Sequence, residues 1–178
     1  MSHRLTTAIR IADSAEAILR KTESFPKVEI EDRDSIGALA DMGVEPMLLA
    51  LSMELALKAW FVFDYDDPGV VKSHNLMKLF EALKPESQER LDQQFKQTVA
   101  PGHPSLFFVD YGIGHVLYQH RDAFTDWRYI YEPKHTRFDR GTFLATLEMA
   151  LAEFRKRYVE VPVAALSSRQ KSALRSRG

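Results

Sequence analysis

The stretch PMLLALSMELALKAWFVF, residues 46–63, decides the fold. It is apolar on almost every face, which marks a helix buried at the centre of a domain rather than one lying on its surface. Pro46 stands where a first helical turn tolerates proline, and the breakers Asp64-Tyr-Asp-Asp-Pro-Gly69 close the run. Within it Glu54 and Lys58 are four residues apart, in the order that favours a helical ion pair. Buried charges are rare unless paired, so each is expected to need a partner from another helix. Two further segments set charged or ionisable groups in apolar helical patterns: Ser73-His74-Asn75-Leu76 and Trp127-Arg128-Tyr129-Ile-Tyr131-Glu132. Arg128, whose guanidinium forks onto a carboxylate, is the expected donor to Glu54. Arg128 and Glu132 make a second i, i+4 pair. The plain reading of Glu54, Lys58, His74, Asn75, Arg128 and Glu132 is a satisfied core network that fixes helix register; the sharper one is a binding site.

Working outward, Ile9, Ala12, Ala15, Ile18 and Leu19 recur at helical spacing between Thr6 and Arg20, opposite Arg10, Asp13 and Glu16. Ser24 to Gly43 reads as an acid-rich connection with one helical turn near Ile36–Leu39. His74 to Leu83 is a short helix, with Ser73 or Asn75 able to cap its first amides. Pro85 separates it from a polar helix running from Glu86 to Thr98. Ser105–Val109 is a short apolar run whose periodicity fits strand or helix equally. Val116 to Tyr131 reads as one helix ended by Pro133, and the last, capped by Asp139 or Thr142, runs to Tyr158. The expected fold is all-α: an antiparallel bundle of about five to six helices.

Length and composition fit one soluble domain, with 178 residues, 45% hydrophobic and 28% charged. The domain is expected over residues 1–163, followed by a basic, disordered tail over 164–178. That tail carries Arg169, Lys171, Arg175 and Arg177 and no acid, so of a net charge of -1 the rest of the chain holds -5. The absence of cysteine excludes disulfides, thiolate catalysis and cysteine-ligated metal. No uninterrupted apolar run approaches the roughly 20 residues of a membrane span, and Asp13 and Glu16 interrupt any signal-peptide core. A cytoplasmic protein with no membrane association is the expectation.

Motifs for other chemistries fail on spacing. Asp64, Asp66 and Asp67 suggest a calcium loop, but Pro68 and Asn75 occupy positions where that loop needs a ligand and its closing Glu. His115 and His120 are five apart and point to different helix faces, unlike zinc-binding i, i+4 pairs. Gly112-Ile-Gly114 lacks the third glycine of a dinucleotide loop. No nucleophile elbow is present. No metal and no cofactor is therefore expected.

The helix MELALKAW (53–60), the segment SHNLMKLFEAL (73–83) and the helix AFTDWRYIYE (123–132), followed by one long C-terminal helix, together resemble the HEPN-domain family over residues 4–160. The resemblance implies a small helical bundle, often homodimeric. It also implies either a non-catalytic binding or accessory module for RNA or nucleotides, or a metal-independent endoribonuclease of toxin or abortive-infection type. An antitoxin or a nucleotidyltransferase is the partner it implies. Catalytic members carry Arg, four to six residues, then His; Arg128 and His135 are separated by six. Tyr129 stands where a polar residue is expected and Pro133 breaks the helix between the pair, so the binding module is the primary expectation. The endoribonuclease using Arg128 and His135, and a structural protein-interaction module, are the alternatives.

Overall fold

The computed structural model describes residues 3–25, 36–65, 72–102, 111–128 and 138–158. The described helices are α1 (His3–Glu23), α2 (Ile36–Tyr65), α3 (Leu76–Glu81), α4 (Pro85–Thr98), α5 (Ile113–Gln119), α6 (Ala123–Arg128) and α7 (Arg140–Arg155), with a 3-10 turn at Ala100–Gly102. There is no strand among the described residues, and the helices pack as an all-α bundle.

The apolar character of α2 makes it the axis. Leu49, Met53, Leu57 and Trp60 are buried on it, and α1, α3, α6 and α7 pack around it. Helix α1 presents Ala8, Ala12 and Ala15, all buried; such small side chains let two helices approach closely. At that contact the Ser52 hydroxyl donates to the Ala15 carbonyl at 2.7 Å. On the other side the Trp60 indole donates to the Ala150 carbonyl at 3.1 Å, joining α2 to α7. Val44–Tyr65 is long and apolar enough to cross a bilayer, but most of that span is buried inside the bundle.

Three expected boundaries move. Helix α2 begins at Ile36, so the second half of the expected connection is helical and Pro46 lies inside the helix. An interior proline removes an amide donor and crowds the carbonyl four residues back, at about 3 kcal/mol; tertiary packing overrides that, since Pro46 is buried. Asp64 does not end the helix, which continues to Tyr65. The stretch expected as one helix from Val116 is two, α5 starting at Ile113 and α6 ending at Arg128, with a turn at 120–122 between them. His120 stands at the break: its Nδ1 lies 2.8 Å from the Val116 carbonyl, which also receives the His120 amide. Asn75 caps α3, accepting from the Lys78 amide at 3.0 Å, and Asp139 caps α7 through the Thr142 amide at 3.2 Å. The run 105–109, the tail from 159 onward, Glu132 and His135 lie outside the described residues.

Two buried carboxylates hold the distal end of the bundle. The Asp64 side chain is fully inaccessible to solvent. It accepts from Arg157 Nη1 at 2.7 Å, the Ser87 hydroxyl at 2.8 Å and the Lys84 amide at 3.1 Å. The Arg157 guanidinium lies 4.7 Å from the Trp60 ring and 4.3 Å from the Phe63 ring, so cation–π attraction adds to the ion pair. Glu153 on α7 accepts from Arg90 Nη2 of α4 at 3.0 Å and from Lys156 at 2.5 Å. Burial raises its carboxyl pKa, but the hydrogen bonds from Lys156 and Arg90, with their charges, prevail and hold it below the ordinary value.

Replacing Arg157 by Met strands the Asp64 carboxylate and is expected to cost about 3 kcal/mol in urea denaturation, the low end for a broken buried pair because Ser87 and Lys84 still donate. Adding Asp64→Asn should recover part of that loss. For Glu153, a depressed folded-state pKa means stability present above the ordinary carboxylate value of 4.5 and lost as pH falls through the folded value. Melting temperature should fall below that pH, and less steeply in Glu153→Gln.

Candidate functional site

Where α2, α3 and α6 meet, Glu54 is buried and both its oxygens are engaged. Lys58 Nζ lies 2.6 Å from Oε1, and His74 Nδ1 lies 2.9 Å from Oε2. An ionised carboxylate only accepts, so Nδ1 carries the hydrogen and Nε2 is left as the imidazole's second functional atom. The His74 side chain is 59% exposed while that of Glu54 is 3% exposed, so a buried anion orients a solvent-facing imidazole. The ring stacks on Phe124 of α6, with centroids 4.8 Å apart and planes inclined by 27°.

The backbone carrying His74 is held as firmly as its ring. Ser73 Oγ accepts from the Asn75 amide at 3.0 Å. Asn75 donates its side-chain amide to Asp122 Oδ1 at 2.9 Å, and the Leu76 amide donates to the Arg121 carbonyl at 2.9 Å. The segment before α3 is thus fastened to the turn between α5 and α6. Capping, the ordinary role of Asn75, is combined with this cross-chain tie.

The expected cluster is brought together in part. Glu54, Lys58 and His74 form it, and Asn75 supports it from the next position. The side chain reaching Glu54 from outside α2 is His74; Arg128, expected in that role with its guanidinium in the core, is exposed at the C-terminal end of α6. Arg128 lies one helical turn beyond Phe124, on the same side of α6. Asp64, considered only as a helix breaker and calcium ligand, belongs to the buried pair with Arg157 instead. His120, considered only as a metal ligand, is buried and fully hydrogen-bonded. Among the described residues no group of three His, Asp or Glu side chains is placed to hold a metal ion.

A concavity of about 550 Å³ lies between α4 and α5 and is lined by Phe80, Gln88, Asp92, Lys96 and His115 among others. Its polar groups have structural work. Asp92 accepts from the Ile113 amide at 3.0 Å and pairs with Lys96 at 2.9 Å. Gly112 is needed there because a Cβ would lie 2.3 Å from Asp92 Oδ1. The concavity is an open groove without converging unsatisfied groups, so the His74 site is the stronger candidate.

Compared with known proteins, the chain matches no family model, and no curated protein or solved structure is significantly similar to it.

Glu54→Gln should free the His74 ring and leave Lys58 without its anion. The expected loss is about 1–3 kcal/mol of stability. Imidazole nitrogen shifts should report the Nδ1–H form in the parent protein and a mixture of tautomers in the variant. Retention of the single Nδ1–H form in Glu54→Gln would show that the carboxylate does not orient the ring.

Proposed function

We propose that the chain is a HEPN-like helical binding or accessory module, without demonstrated chemistry, whose ligand-contacting site is centred on His74. The observation that carries this reading is the exposed imidazole held from three sides: by buried Glu54, by the Phe124 ring, and by a backbone segment tied to Arg121 and Asp122. A side chain needed only to neutralise Glu54 gains nothing from exposure, whereas a recognition group gains from fixed orientation. The ligand proposed is RNA or a nucleotide. Lys58 and Arg128 supply cationic donors suited to phosphate, His74 presents a ring nitrogen to solvent, and Phe124 carries an aromatic face beside them. A homodimer in the cytoplasm, with an antitoxin or nucleotidyltransferase as partner, accompanies this reading.

The second reading is a metal-independent endoribonuclease using Arg128 and His135. Exposure of Arg128 at the end of α6 favours it, because its side chain is not confined to the core. In that chemistry His135 takes the proton of a ribose 2′-hydroxyl, whose oxygen attacks the adjacent phosphorus. The bond from phosphorus to the 5′-oxygen breaks, leaving a 2′,3′-cyclic phosphate; the 5′-oxygen takes a proton from water, and Arg128 stabilises the charge on the phosphoryl oxygens.

Fluorescence anisotropy with a labelled single-stranded RNA, and competition by ATP, test the binding reading. His74→Ala and Arg128→Ala, both at exposed positions, should each weaken binding by about tenfold, equivalent to roughly 1.4 kcal/mol, and affinity should fall as salt rises. Affinity unchanged in both variants would remove this site from the reading. RNA cleavage in EDTA that is abolished in His135→Ala, with the variant still folded, would establish the endoribonuclease. Neither binding nor cleavage would leave the structural interaction module.

A further inference from the structure

His120 sits at the junction of three elements, and neither nitrogen of its ring is free. Nδ1 is 2.8 Å from the Val116 carbonyl and therefore carries the hydrogen; Nε2 accepts the Asp139 amide at 3.1 Å. These two bonds require the neutral ring in one tautomer. The ring lies between Phe138 and Phe143, with centroids 5.0 and 5.1 Å away in edge-on geometry. Asp139 is the residue that caps α7. The two residues after His120 are those that hold the His74 segment, through Arg121 O to the Leu76 amide and Asp122 Oδ1 to the Asn75 side chain.

Adding a proton to Nε2 removes the acceptor of the Asp139 amide and places two N–H groups where one was accommodated. The amide at the start of α7 then loses its partner, and a charge enters an aromatic enclosure. A stranded amide and a buried charge are each unfavourable, so the junction relaxes where the ring can reach water. We propose that His120 is a pH-sensitive latch: while neutral it ties the start of α7 to the α5–α6 turn, and its protonation releases that tie and loosens the turn's hold on the His74–Asn75 segment.

The charged groups at the junction set the range in which this occurs. Burial lowers the His120 pKa below the ordinary histidine value of 6.5; the Val116 carbonyl and the Asp139 carboxylate act in the opposite direction. Tyr111 also faces Asp139 and stays neutral, its pKa raised by burial and by that carboxylate. Arg121 and Asp122, which follow His120, pair with each other at 3.3 Å. At the first turn of α7, Arg140 pairs with Glu45 of α2 at 2.8 Å. A folded-state pKa below the open-state value means that the latch is fully effective above about 6.5. It weakens as pH falls below that, until the closed form itself is protonated.

Amide hydrogen exchange and imidazole nitrogen shifts, measured on the full chain from about pH 7.5 to 4.5, test the latch across the ordinary histidine value of 6.5. After correction for the intrinsic pH dependence of exchange, protection of the Asp139 amide should fall by up to about tenfold per pH unit below 6.5. The Leu76 amide should lose protection over the same range. In His120→Gln, whose side chain offers a neutral acceptor, both amides should keep constant protection. Constant protection of both amides in the unmodified chain, or a loss of the same size in folded His120→Gln, would overturn the proposal. The unmodified chain decides the matter alone if the variant does not fold, and no readout depends on the ligand proposed for His74.

Discussion

The buried carboxylate of Asp64 constrains the bundle more than any apolar contact does. Apolar packing tolerates sliding and repacking, because one methyl group substitutes for another at modest expense. A fully desolvated carboxylate does not, since losing its partner leaves a charge in a low-dielectric interior. Asp64 takes hydrogen bonds from Arg157 beyond α7 and from Lys84 and Ser87 at the start of α4. One end of α2 is therefore fixed to two other helices in a single arrangement. Trp60 and Phe63 on the same helix receive the guanidinium against their rings, so the packing of α2 and the position of the cation are determined together.

Glu54, ten residues earlier on α2, meets the same constraint with a different outcome. Its internal partner, Lys58, is largely buried, but its external partner, His74, is mostly exposed. At Asp64 the external partner, Arg157, is instead largely covered, its side chain 20% exposed. The two acids thus divide α2 into an end devoted to stability and a middle that orients a group toward solvent. Anchoring the segment of His74 to the α5–α6 turn extends this orientation from the ring to its backbone. Such rigidity at an exposed residue is the physical basis for treating the region as a recognition site.

The central helix, the amphipathic character of α1, the caps at Asn75 and Asp139 and the all-α class were legible in the sequence because each rests on local periodicity or on capping chemistry within four residues. The pairing of Glu54 with Lys58 was legible for the same reason. What escaped depended on distant contacts. Asp64 resembles a breaker when only its neighbours Tyr65 and Pro68 are considered; its burial requires Arg157, 93 residues away. The clue was an acid placed directly after the aromatic run Trp60–Phe63, and an arginine just past the last helical face. His74 was legible as a helix-opening residue, but its contact with Glu54 was not, since nothing local distinguishes it from Arg128 as a donor. The break at His120 escaped because the apolar period passes through it unaltered, and only its side-chain bond to Val116 reveals the turn.

Two histidines therefore stand at opposite extremes of the same design rule. His74 has one nitrogen committed to a carboxylate and most of its ring exposed. His120 has both nitrogens committed to the backbone and its ring enclosed by Phe138 and Phe143, so protonation destroys a bond and charges a buried space. The Arg121 carbonyl and the Asp122 carboxylate link them, each bonded to the segment that carries His74. The residue suited to meet a ligand is thus mounted on a turn whose integrity depends on the residue that tolerates protonation least. That sequence of contacts gives the fold a physical route by which a change of charge in the interior reaches the exposed imidazole.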